Sequence, residues 1–155
     1  SENCQIRKKT LPYTEKIIQT SIRFLDKPEL KKVEKDFSDA LALNARGDHP
    51  GTARMCNVAI ESMLKIMGGR GASTDSLFID IAKKYHRPQI VTDNKYDHLT
   101  KIIGFVEKWR SKEGKTHGSK EDSAFTDMPE VTELIINLTA SFITYLVRIY
   151  DKRKI

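Results

Sequence analysis

The chain is short of the residues that staple a fold together. Its 155 residues hold two cysteines, Cys4 and Cys56, together with five prolines and one tryptophan. Two cysteines do not build the disulfide framework of a small secreted scaffold, and Cys56 lies inside an apolar helical pattern, where a free buried thiol is the simplest reading. The expected compartment is therefore reducing, which means cytoplasmic. The opening SENCQIRKKT is polar with no apolar run behind it, so no secretory leader is expected there. No stretch alternates apolar and polar residues long enough to make a strand, and no repeat or low-complexity segment stands out. The spacings of His49, His86 and His98 fit no zinc pattern. They are read as surface or loop residues, and no metal or cofactor is expected.

What the chain does have is the balance of an ordinary soluble domain. Hydrophobic residues make up 39% and charged residues 31%, enough for one real core with a polar surface. The mean hydropathy of -0.49 argues against a membrane protein as a whole. A net charge of +6 fits an anionic partner such as RNA, although many plain soluble proteins carry as much. Residues 1–11 form a polar, basic lead-in, and 12–155 read as a single domain.

Within that domain the apolar period is helical throughout. Ile17, Ile18, Ile22 and Leu25 share one face of a helix over 12–25. A second helix starts at Lys27-Pro28, with Asp26 as a candidate cap, and ends at Gly47. Asp48-His49-Pro50-Gly51 reads as a turn before the strong helix former TARMCNVAIESMLKIM. Thr74 or Asp75 can cap a fourth helix that ends near His86-Arg87-Pro88. A fifth begins at about Asn94 and carries Leu99, Ile102, Ile103, Val106 and Trp109 on its apolar side. The last starts at Pro129 and runs to about Tyr150. The expected class is all-α, a single bundle of five or six helices.

Two stretches invite other readings. Residues 131–150 have the length of a membrane span, but Glu133, Asn137, Ser141 and Arg148 interrupt it, and a central bundle helix explains its apolarity without burying charge in lipid. No membrane association is expected. Gly68-Gly69-Arg70-Gly71-Ala72-Ser73 lacks the Gly-Lys-Ser/Thr ending of a phosphate loop, and no strand precedes it. A helix end followed by a turn is the better reading.

The chemistry gathers in Trp109-Arg110-Ser111-Lys112-Glu113-Gly114-Lys115-Thr116-His117-Gly118, where nothing helps build a core. If the fifth helix continues past Trp109, Arg110 and His117 stand two turns apart on nearly one face, with Cα atoms about 10 Å apart. Gly114 lies between them and leaves room for a ligand, Gly118 turns the chain after the His, and Lys112 and Lys115 add positive charge. RNA carries its own nucleophile, the 2′-hydroxyl beside the scissile phosphate. His titrates near neutrality and can move the proton, while Arg stays charged and its fork matches two phosphate oxygens. On spacing alone, however, a solvated basic loop is the favoured reading. Glu61, on the third helix, either orients Arg110 through a salt bridge or simply faces solvent.

The pattern Arg-x-x-x-Gly-x-x-His-Gly resembles the signature of the HEPN superfamily and, more narrowly, is similar to the C-terminal domain of abortive-infection proteins. RGDHPGTARMCNVAIESMLKIM resembles that family's preceding helix pair, with Glu61 as its mid-helix Glu, and the likeness spans about 28–150. The resemblance implies a HEPN-like helical bundle and a homodimer whose two motifs face a shared cleft. It also implies metal-independent cleavage of RNA to a 2′,3′-cyclic phosphate and a 5′-hydroxyl, in phage defence or a toxin–antitoxin system, with an antitoxin or further domains as possible partners. Arg110 and His117 would be the catalytic pair. Ser111, Lys112 and Lys115 would bind RNA, and Gly114, Gly118 and Glu61 would support the site. The chain departs from the family at Ser111, where Asn is usual, and at Asn57, where Arg often stands one turn before the helix Glu. Because some relatives only bind RNA or nucleotides, a non-catalytic dimerisation and binding module is the alternative.

Overall fold

A computed structural model of the chain describes residues 12–85, 100–107 and 129–153. Among these residues the regular structure is all helix, with no strand: α1 (Pro12–Leu25), a 3-10 turn (Pro28–Leu30), α2 (Lys31–Ala45), α3 (His49–Ile66), α4 (Thr74–Tyr85), α5 (100–107) and α6 (Pro129–Arg153). The all-α bundle expected from the apolar period is the observed architecture.

α3 is the axis of the bundle and packs against α2, α4 and α6. That enclosure explains its wide apolar arc. Ala53, Cys56, Ala59, Ile60, Met63, Leu64 and Met67 are all buried, so no single stripe suffices. Small residues fill its first half, where Gly51, Thr52, Ala53 and Cys56 are buried and let neighbouring helices come close. Val33, Phe37 and Ala40 of α2 close one side of this core. Phe78 of α4 meets Phe142 of α6 edge to face, with ring centroids 5.4 Å apart.

The connections are set by local chemistry. Gly47, at φ +77°, and Gly68, at φ +87°, take the left-handed turn that closes α2 and α3. In each closure a later amide reaches back to the last turn, Asp48 N–H to Leu43 C=O and Gly69 N–H to Leu64 C=O, both at 2.9–3.0 Å. Asp48 then caps α3 by accepting from Gly51 N–H at 2.8 Å, so His49-Pro50-Gly51 is the first turn of the helix rather than a free turn. Lys27 precedes the 3-10 turn without a side-chain cap bond, and Asp26 pairs instead with Lys31 at 3.1 Å.

α1 and α6 run parallel. Near their starts the Thr14 hydroxyl donates to Glu133 at 3.3 Å, and past the end of α1 Lys27 pairs with Asp151. α6 is the one helix among the described residues long and apolar enough to cross a membrane by length and composition. Its burial is one-sided: Ile135, Ile136, Ala140, Ile143, Leu146 and Val147 enter the core, while Ser141, Arg148 and Lys152 face outward. A bundle helix packed on α1 and α3 accounts for its composition.

This asymmetry can be measured. Ile143 is fully buried, so Ile143→Ala should destabilise the fold by about 2–5 kcal/mol. Leu134 on the outer side is 48% exposed, and Leu134→Ala should stay within about 0.5 kcal/mol of wild type. Urea unfolding of both variants gives the comparison, and equal losses would mean that the outer side of α6 is covered in solution.

Candidate functional site

Buried polar side chains gather where the start of α4 packs against α3 and α5. Asn57 and Glu61 are four residues apart on α3, so they share one face. Asn57 is fully buried, and its Nδ2 donates to Glu61 Oε1 at 3.0 Å. Thr74, also fully buried, directs its hydroxyl at Asn57 Oδ1 and Glu61 Oε1, each 3.1 Å away. One hydroxyl proton is shared between both acceptors, so the three side chains are tied to one another. Glu61 Oε2 is 3.9 Å from Lys65 Nζ, and the Glu61 side chain is 18% exposed. Glu61 is thus neither buried alone nor plainly solvent-facing: one oxygen is bonded inside the corner and the other is within reach of a lysine.

The start of α4 explains why Thr74 points inward. Ser73, not Thr74 or Asp75, caps the helix. Its Oγ accepts from Ser76 N–H at 3.2 Å, and Ser76 Oγ accepts in return from Ser73 N–H at 2.9 Å. With the cap supplied by Ser73, Thr74 is released for Glu61. Asp75 follows and reaches toward α5: a Cβ at Gly104 would lie 3.5 Å from its carboxylate oxygens. Gly104 is buried, as are Ile103 and Val106 beside it. α5 therefore lies against the same corner that holds Glu61 and Thr74.

Arg110, Ser111, Lys112, Gly114, Lys115, His117 and Gly118 lie outside the described residues, as do Trp109, His86 and His98. Of the expected site residues, Glu61 alone is placed. Asn57 and Thr74 gain a role the sequence reading did not give them. Asn57 counted there only as a departure from a family pattern, and the available signal was an amide four residues before Glu61 on an otherwise apolar arc. The Gly68–Ser73 segment is a helix end followed by a turn, as expected. Arg70 N–H is taken by Asp80 at 2.8 Å and Gly69 N–H by Leu64, so these two amides are committed to the protein. Among the described residues no three of His, Cys, Asp and Glu gather in a set that could hold a metal ion.

A second polar tie crosses the core on the α2 side. Asp36, 3% exposed, accepts from Ser62 at 2.6 Å and from Lys32 at 2.6 and 2.7 Å. Cys56 is free and buried. Burial pushes its thiol up to about 12, while the Thr139 hydroxyl beside it acts in the opposite direction. No protein-family model, curated protein or solved structure matches the chain.

Two outcomes follow from these contacts. Thr74→Val keeps the shape but removes the donor to Glu61, and should cost about 1–3 kcal/mol, whereas Thr74→Ser should cost less. Denaturant titration of the two variants separates the lost hydrogen bond from lost packing. The Cys56 thiol ionises more readily unfolded, near its ordinary 9.0, than folded. Its stabilising contribution is therefore complete below pH about 9 and falls away toward pH about 12. On a Cys4→Ser background, folded protein at pH 8 should resist thiol reagents, and its stability should drop through that alkaline window more steeply than that of Cys56→Ala.

Proposed function

We propose that the chain is a metal-independent endoribonuclease of HEPN type that acts as a homodimer in the cytoplasm, in phage defence or a toxin system. The observation that carries the reading is the Arg110-x-x-x-Gly114-x-x-His117-Gly118 element, late in an all-α bundle and following a helix packed against the Asn57–Glu61–Thr74 corner. The mid-helix Glu of the resemblance corresponds to Glu61, and a carboxylate with one oxygen held by hydrogen bonds is suited to orient a guanidinium.

In this reading Arg110 binds two non-bridging oxygens of the scissile phosphate. The 2′-oxygen attacks phosphorus as its proton passes to an imidazole at His117, and the P–O5′ bond breaks. The leaving 5′-oxygen takes up a proton, so the products are a 2′,3′-cyclic phosphate and a 5′-hydroxyl. Lys112, Lys115 and Ser111 hold the flanking phosphates. A second reading, a non-catalytic module that dimerises and binds RNA or a nucleotide, is favoured by two particulars. Ser111 is shorter than the usual Asn, and Asn57 supplies an amide in place of an Arg and spends it on Glu61.

Labelled RNA incubated in EDTA tests the proposal. Wild type should yield cyclic-phosphate ends, and His117→Ala and Arg110→Ala should each lose about 100-fold or more in rate. Undiminished cleavage by both variants would remove the assignment, and RNA binding without cleavage by wild type would select the second reading.

A further inference from the structure

The outward side of α6 carries a cleft whose residues lie far in sequence from the Arg110–His117 element. Its volume is about 290 Å³, and among the described residues it is lined by Ser141, Thr144, Tyr145, Arg148, Ile149 and Lys152. These positions recur at intervals of one, three and four, so the Ser141 hydroxyl and the two cations fall along one line of the helix, while the Thr144 hydroxyl donates to Ala140 C=O at 2.9 Å. Arg148 and Lys152 are exposed and have no carboxylate partner among the described residues. Asp151, the acid at this level, is held by Lys27. The same pairing brings the end of α1 alongside, where Arg23, exposed and likewise without an ion pair among the described residues, lines a second cleft of about 230 Å³ with Thr20 and Phe24.

The helix alone does not account for this arrangement. A cation in the last turn is favoured by the helix dipole, which covers Lys152 but not Arg148, one turn earlier. Like charges four residues apart cost helix stability, and the acid between them, Asp151, is engaged by Lys27. An anionic ligand reverses that cost. A lipid surface is a poor fit, because Ile149 between the cations is part-buried and the exposed large apolar residues of the α1–α6 pair, Tyr13 and Leu134, lie at its other end.

We infer that the Ser141–Lys152 cleft is a phosphate-binding groove for the backbone of single-stranded RNA, with Arg148 and Lys152 on successive phosphates and the Ser141 hydroxyl as a further donor. The identity of the polyanion rests on the RNA reading above. The groove is separate from the Arg110–His117 element in sequence and acts on affinity, not on the proton transfers.

The test uses the full chain carrying His117→Ala, so that RNA stays intact, with fluorescent single-stranded RNA titrated at several salt concentrations. Adding Arg148→Gln and Lys152→Gln should weaken binding about tenfold and lower the log–log salt slope by about 1.4, for two lost phosphate contacts. Arg148→Lys with Lys152→Arg should stay within about twofold of the parent, because each phosphate keeps a cation. Inorganic phosphate should compete with the parent more strongly than with the Gln variant. An unchanged affinity and slope in a Gln variant with the parent's melting temperature would overturn the inference. So would binding to phosphatidylserine vesicles that depends on these cations while RNA affinity does not. Cleavage is read separately: loss of the nuclease reading with cation-dependent RNA binding leaves the groove standing, and Arg110/His117-dependent cleavage with indifferent RNA affinity leaves the nuclease and removes the groove.

Discussion

The enclosure of α3 by α2, α4 and α6 is the constraint on which the rest of the bundle depends. A helix surrounded on several sides has little solvent-facing surface on which to place its polar residues. Every polar side chain it keeps must find a partner on a neighbouring element or lose the hydrogen bonds water would supply. α3 meets that demand at two places. Asn57 and Glu61 are answered by Thr74 at the start of α4, and Ser62 by Asp36 of α2. Apolar packing supplies most of the attraction but tolerates sliding. These polar ties fix which residue of each neighbour faces which residue of α3.

The Glu61 corner is a product of that same demand. Thr74 holds Glu61 because Ser73 and Ser76 satisfy each other at the end of the helix, leaving the next hydroxyl to point inward. One oxygen of Glu61 is therefore positioned by the fold itself. A carboxylate held in this way loses little side-chain freedom when it engages a cation, which is the arrangement a site needs for fixed geometry.

Much of the fold could be read from the sequence because helical apolar period and Gly or Pro punctuation agree. α1 begins and ends where Pro12 and Leu25 suggest, and Gly47 and Gly68 close the helices they follow. The differences arise where several residues are chemically equivalent locally and tertiary contacts choose among them. Ser73, Thr74 and Asp75 are all good caps, and the buried acceptors Asn57 and Glu61 decide that Thr74 is not the one. His49-Pro50-Gly51 has turn composition, yet Asp48 and Pro50 make it a helix start. α6 runs past Tyr150 to Arg153, and Asp151 within that extension pairs with Lys27, a contact no local pattern announces. Of the candidate site, the chemistry of Arg110 and His117 is visible in residue type and spacing. What surrounds Glu61 is not, because it depends on a partner thirteen residues away on another helix.

The side-by-side arrangement of α1 and α6 also bears on how the chain assembles. Thr14 and Glu133 are 119 residues apart, and Lys27 and Asp151 are 124 apart, whereas α2 and α3 are joined by a turn of a few residues. Joining distant segments costs chain entropy before any contact repays it, so the α2–α3 hairpin is the natural nucleus and the two outermost helices dock late. The last seam to form is ordinarily the first to open. Amide protons along α1 should accordingly exchange with solvent sooner than those of α3, and the groove on α6 would loosen before the Glu61 corner does.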